Sequence, residues 1–566
     1  METEDLSYEQ KKEFSLEEGV YRLRKQFLLQ TDSYPAEKSN TNPLSINMEP
    51  MPSNMEVNII TVESDDFQPS PLKFSLPYKS ESTQHESPLK DQTVKSTSEN
   101  TDSKDTMESH SEKKDVSDDD FLSENLFHDL ASFTQNTDVE ELLPNPSYMQ
   151  NSNILRKIKK PKNSIIKKNS SFISQIILHD NLAKFLTSKI SKAIYIFSTV
   201  EKEFSWITIS PQTQEELLSK IIFTKGYITC HDVNQFTSNT DHIDVVFGFS
   251  SSDIIWFDPT SIRYTRLNKH GVINPSSVNC IKWIPGSKNL FMAAHNNGAL
   301  VIYHKEREKF NFIPKDDSST NTSDSIKFKI HVSLLNSKNQ KCNPVSYWEL
   351  PNQSPTSFSF SPLSCHVAVV FSDGTLKIID YKNERLLDIY HSWFGGLICV
   401  CWSYDEQYIL TGGEDDLITI WSFSNKTIVA RCQGHHSWVT GVAFDPWKCS
   451  KNYYRFGSVG ADCQLLLWDF NVEALNLPKS MKNDSFLQNN VSSSKTLSKN
   501  HNIEKNNENK QFEPVDHPSI PHASVSILSP ITSEVLHNQW LNGIKFFKKS
   551  IIVSGKKDHI QIWDRP

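Results

Sequence analysis

The chain has 566 residues, 37% of them hydrophobic, and a net charge of −9, which leaves room for two to four domains at roughly 150 residues each. It has no run of eighteen apolar residues, and its charged start, METEDLSYEQKKEF, lacks an apolar h-region; both argue against a membrane helix and a secretory signal. The acidic balance argues against a nucleic-acid binder, and nine scattered Cys without a C-x-x-C pair fit free thiols better than a disulfide or zinc framework.

In chain order, residues 11–29 come first. Leu16, Val20, Leu23 and Phe27 recur at three- and four-residue spacing, which predicts an amphipathic helix within a short N-terminal motif, residues 1–30. Residues 31–169 read as a disordered acidic, Ser-rich tail. All 12 Trp lie at Trp206 or later, and of 17 Gly only Gly19 precedes Gly226, so this stretch lacks the aromatic bulk and turn residues of a packed domain. Within it, DDDFLSENLFHDLASF (118–133) has two readings, a short partner-binding helix or residual hydrophobicity. Ser70 and Ser87, each in S-P-L-K, are candidate phosphorylation sites. The tail ends in RKIKKPKNSIIKK, 156–168, with seven Lys or Arg in thirteen residues; it reads equally as an import signal or a solvated hinge.

From residue 170 onward, short apolar runs alternate with Gly, Asp, Asn and Pro turns. The segments 280–304, 357–380, 399–422 and 441–470 repeat one order: an aromatic-ended strand, a polar turn, an apolar strand, a tight turn, and a last strand that reaches Tyr303, Ile379, Trp421 or Trp468. Asn297 to Tyr303, Asp373 to Ile379, Asp415 to Trp421 and Asp462 to Trp468 are each six apart, and Phe360, Trp402 and Phe444 follow at 42-residue intervals. This is the period of WD-repeat blades. Weaker copies at 228–259 and 540–566, with strands in 183–222, bring the count to seven. The expectation is an all-β, seven-bladed propeller over 170–566, folding without residues 1–160, with mobile insertions at 306–355 and 473–535. Pro566 lies three residues past Trp563, which leaves the last blade one strand short. SFISQIIL (171–178) is the expected closing strand.

No nucleotide-loop, metalloprotease or serine-hydrolase motif is present. Cys399 and Cys401 read as thiols on one face of a strand. His435, Ser458, Asp462 and Trp468 fit the structural hydrogen-bond tetrad of a blade better than a catalytic triad. Function is therefore expected on loops. YHSWFGG (390–396) and GHHSWVTG (434–441) place Phe394 and Trp438 44 residues apart, about one blade period, at nearly equivalent rim positions. With Trp393 and His436 they form the candidate partner-binding set.

Together, IIFTKGYITCHDVN, HIDVVFGFSSSDIIWFDP, WFGGLICVCWSYDEQYILTGGEDDLITIWSF, YRFGSVGADCQLLLWDF and the short EEGVYRL (17–23) resemble the fungal CreC family of WD-repeat proteins. They also resemble its animal counterpart, a WD repeat-containing partner of ubiquitin-specific proteases. The resemblance implies a non-catalytic subunit without cofactor or metal that binds and activates a CreB-like ubiquitin-specific protease. It also implies a second, larger WD-repeat protein in the complex, a link to carbon catabolite repression, and protease contacts at positions matching Phe394 and Trp438. Cytoplasmic placement, extending to the nucleus, is expected, with no membrane or direct nucleic-acid partner. Two other readings of a propeller remain: a substrate receptor of a ubiquitin ligase, and a chromatin or nucleic-acid adaptor.

Overall fold

The computed structural model describes residues 11–28, 55–63, 159–165, 172–180, 182, 192–209, 216–239, 241–314, 328–334, 341–350, 353–362, 365–471, 514–556 and 559–566. Seven antiparallel blades form a ring in which each innermost strand touches the innermost strands of both neighbours. Those seven strands are Glu56–Glu63, Ile228–Val233, Val278–Trp283, Pro355–Phe360, Leu397–Trp402, Val439–Phe444 and Leu541–Phe546, for blades one to seven. Seven hydrophobic clusters fill the seams, one between each pair of adjacent blades. A blade is one sheet with two apolar faces, so burying both faces requires a neighbour on each side, and only a closed ring supplies that throughout. Trp206, Trp348, Trp421, Trp468 and Trp563 are all buried in these seams.

Closure differs from the sequence expectation. The strand paired with the last strand of blade seven, His559–Asp564, is Gly19–Leu28, and Glu13–Leu16 adds outside it. Residues 11–28 are therefore a hairpin, not a helix. From Gly19 to Arg24 the odd positions are the more buried ones, with Tyr21 1% and Val20 38% exposed, and a bulge between Leu23 and Lys25 then places Phe27 in the neighbouring seam. The helical spacing of Leu16, Val20, Leu23 and Phe27 loses to an open sheet edge that needs a partner. Phe14 stacks on Tyr21 at 4.8 Å and meets Trp563 at 5.2 Å. The E-G-x-Y-x-L motif has a physical reading. Glu18 accepts the Tyr21 hydroxyl at 2.9 Å and pairs with Arg455 of blade six, which also forks onto Asp469. At Gly19, φ is +139° and a Cβ would stand 2.6 Å from Pro566 Cβ, so only glycine fits.

Ile173–Leu178, the expected closing strand, instead lies outside blade one, paired with Glu216–Phe223. The inner strand of blade one, Glu56–Glu63, comes from the stretch read as disordered and pairs with Lys192–Val200. The long segment between Glu63 and Lys192 is thus an insertion between the first two strands of blade one, not an N-terminal tail. Part of the basic run is docked as well. Asn163–Ser164 pairs with blade two, and Lys159 and Lys162 meet Glu306 and Glu308, each at 2.8 Å. The two insertions also carry strands: Ser346–Glu349 and Thr532–Val535 are the outer antiparallel strands of blades three and six. Residues 118–133, Ser70 and Ser87 lie outside the described residues.

Candidate functional site

The loops that enter blades five, six and seven run from an outer strand to the next inner strand, so all three open on the same rim of the ring. Phe394 in the first is 68% exposed, Trp438 in the second 40%, and Trp540 in the third 38%. The Trp438 and Trp540 rings lie 6.4 Å apart and tilted, and Lys556 Nζ stands 4.0 Å from the Trp540 ring. Trp540 was missed in the sequence, although the signal was there: it immediately precedes Leu541, as Trp438 immediately precedes Val439. Three large aromatics are thus exposed on consecutive loops of one rim, two of them adjoining with a lysine beside them, and exposed aromatics of this kind are the residues enriched in protein-binding hot spots.

The other two candidates behave differently. Trp393 is half-buried and turned onto residues 520–522: its Nε1 donates to the Ile520 carbonyl at 2.8 Å and its ring meets His522 edge-on at 4.8 Å. His436 is exposed, and its backbone N–H donates to Asp462 Oδ2 at 3.0 Å.

Beneath the second loop, His435, Ser458, Asp462 and Trp468 are brought into one row. Trp468 Nε1 donates to Ser458 Oγ at 2.8 Å, Ser458 Oγ lies 2.8 Å from His435 Nε2, and His435 Nδ1 lies 2.9 Å from Asp462 Oδ2. Tryptophan can only donate, so the serine accepts from it and its own O–H donates to Nε2, and Nδ1–H then donates to the aspartate. Burial alone would raise the Asp462 carboxyl, but the hydrogen bond from His435 holds it below its usual value. Ser458 is fully buried, so this row is a strut that fixes the loop above it; the hydroxyl is closed to substrate.

A channel of about 500 Å³ runs inside the ring, lined in part by Glu56, Cys230, Asp232, Cys280, Lys282 and Cys399. Glu56 accepts the His231 N–H at 2.6 Å, and Lys545 Nζ donates to Asn58 Oδ1 at 2.6 Å. Burial, reinforced by the nearby Asp232, pushes the Glu56 carboxyl up. Burial pushes the Cys399 thiol up to about 12 and Cys401 higher still, the opposite of what a reactive thiolate needs. Among the described residues, no cluster of three or more His, Cys, Asp or Glu is set to hold a metal, and no helix is long and apolar enough to cross a membrane.

Comparison with known proteins adds two findings. The WD domain, G-beta repeat family matches residues 386–422. That window joins the outer strand of blade four to three strands of blade five, so the sequence repeat is offset by one strand from the structural blade. The UBP9-binding protein bun62 of Schizosaccharomyces pombe is 36% identical over 409 residues, covering 70% of this chain and 75% of that protein.

Proposed function

Since the chain belongs to the same WD-repeat family as the fission-yeast UBP9-binding protein bun62, we propose that it binds a ubiquitin-specific cysteine protease through the aromatic rim and raises the protease's turnover without contributing a catalytic group. The observation that carries this reading is the exposure of Phe394, Trp438 and Trp540 on consecutive loops of a rigid ring. Such rings cost little conformational entropy to order and remove much apolar surface from water on docking. Stimulation requires that binding favour the competent state of the protease over its idle state; equal affinity for both would change nothing. The resemblance extends the proposal to a second, larger WD-repeat protein in the same assembly, to carbon catabolite repression and to a cytoplasmic and nuclear distribution.

The test is purification of the chain with a mild tag, followed by turnover of a ubiquitin-fluorophore substrate. A co-purifying ubiquitin protease, silent or slow alone and faster with this chain, is the expected result. A cullin adaptor in its place would favour a ligase receptor, and nucleoprotein a chromatin adaptor. Equal protease rates with and without the chain would remove the activator role.

A further inference from the structure

Phe394 and Trp438 sit on different blades, so a rigid partner requires their two loops to hold a fixed spacing. One segment outside the ring touches both loops. Val515–His517 runs parallel to Asp388–Tyr390 of blade four, and Ser526–Leu528 runs parallel to Ala430–Cys432 of blade five. Between these strands the chain passes under the first loop, where the Ile520 carbonyl takes the Trp393 indole N–H and His522 abuts the indole ring. Arg431 reaches the same His522 from blade five. At the near end, His517 stacks on Tyr390 at 4.6 Å and lies 2.8 Å from Asp388, while Asp516 lies 2.8 Å from His391.

At the far end the segment reaches the second loop. Gly434 opens that loop, and a Cβ there would stand 3.1 Å from Pro530 and 3.0 Å from the Trp468 ring. The segment and the blade core therefore close on Gly434 from two sides. Val525 and Leu528 turn inward, but Val515 and Ile527 are about half exposed, and each strand pairs over three residues only. Most of its contacts are to the outer strands of blades four and five; it meets the loops themselves at Trp393 and beside Gly434, and among seam residues Leu528 packs against the blade five–six cluster.

We propose that residues 515–530 are a positioning strap that sets the separation and orientation of the Phe394 and Trp438 loops for the protease surface. The proposal rests on the protease-docking reading. Trp393 is then a positioning residue: its N–H is spent on the strap, which leaves the next ring, Phe394, facing outward. Holding two anchors in the bound arrangement before association removes part of the ordering cost of binding.

The test uses the full chain and the purified partner protease, with melting measured beside affinity. Replacing 515–524 by a Gly/Ser segment of equal length, with Val525 and Leu528 kept, should weaken protease binding about tenfold through loss of preorganisation. Melting should move little. Trp393→Phe keeps an aromatic ring, though a smaller one, and deletes the N–H to Ile520; it should weaken binding roughly threefold, the usual scale of one hydrogen bond. In a Phe394→Ala background the strap replacement should add less than about twofold, because the first loop has nothing left to aim. The strap proposal is overturned if Phe394→Ala weakens binding while strap replacement and Trp393→Phe do not. It is also overturned if the strap replacement costs the same in both backgrounds, the mark of a merely structural segment. If the replaced strap melts well below wild type, Trp393→Phe decides: binding lost at unchanged melting supports the strap, and full binding overturns it. If Phe394→Ala and Trp438→Ala both bind normally, the docking reading itself has failed and takes the strap with it.

Discussion

Blades five and seven have the same strand pattern and opposite origins. The four antiparallel strands of blade five lie in one stretch, Leu397 to Gln433. Blade seven joins Leu541–Asp564 to Gly19–Leu28, more than five hundred residues away in the chain. The first can form its ladder from local turns; the second forms only when the ring closes, and closing it must meet the entropy of a very long loop. Two further seams depend on the same event. Phe14 and Tyr21 pack between blades six and seven, and Phe27, Met55 and Val57 pack between blades seven and one. The contiguous blades thus hold their own strands, while the start of the chain holds the ring.

The largest expected effect follows from that contrast. Deleting residues 1–28 uncovers the edge at Trp563 and takes Phe14 and Tyr21 from one seam and Phe27 from the next, so the cooperative melting transition should be lost or lowered by tens of degrees. Deleting a similar length within 66–140, outside the described ring, should leave melting within a few degrees. If the first deletion melts like the full chain, ring closure by Gly19–Leu28 is wrong.

Trp468→Ala breaks a contiguous blade from within. Removing a fully buried indole typically costs about 3–5 kcal/mol, and it leaves Ser458 with one partner fewer. Melting should fall, and protease affinity should fall with it because the strut beneath Trp438 is gone. Full stability in this variant would show that the tetrad adds little to the fold.

Blade two supplies a pH test. His242 is buried, with Nε2 3.0 Å from Asp244 and Nδ1 3.3 Å from Asp258. Burial pulls the imidazole down, but the two carboxylates outweigh it and lift it to about 9. A group raised on folding adds stability that is full below its unfolded value, near 6.5, and is lost as pH climbs through about 9; the size is on the order of 3 kcal/mol. Asp244 is the mirror case. Burial would raise it, but His242 and Lys305 hold it at about 2, so its contribution is present above its unfolded value near 3.9 and is lost as pH falls toward 2. His242→Gln should flatten the alkaline limb of a melting-against-pH curve. An unchanged limb would mean that His242 is neutral in the fold.

The smallest effect on stability and the most specific effect on function belong to the rim. Phe394→Ala or Trp438→Ala should cost about 2 kcal/mol or more in protease binding, roughly thirtyfold. Stability should change by about 0.5 kcal/mol or less, as is usual at exposed positions. Trp540→Ala should fall in the same class, and the Trp438/Trp540 pair should be less than additive because the rings adjoin. Should Trp438→Ala lower melting as far as Trp468→Ala, the residue is packing and the rim is not a docking surface.

The 42-residue period, the six-residue step to Tyr303, Ile379, Trp421 and Trp468, and the Phe394 and Trp438 loops were all legible in the sequence by itself. Each depends on contacts within one hairpin or between successive blades, and such contacts leave a fixed spacing. Tertiary structure decided which strand closes the ring, because an edge accepts any apolar strand that reaches it. Gly19–Leu28 reaches it with Tyr21, Phe27 and the Glu18–Arg455 pair in place. Tertiary structure also decided that Glu56–Glu63 is an inner strand, since a strand whose partners begin at Lys192 leaves no local period. It separated Phe394 from Trp393, adjacent aromatic residues, by placing the Ile520 carbonyl against the Trp393 indole N–H. Spacing records contacts along the chain, whereas ring closure and the strap join segments whose separation in sequence carries no such record.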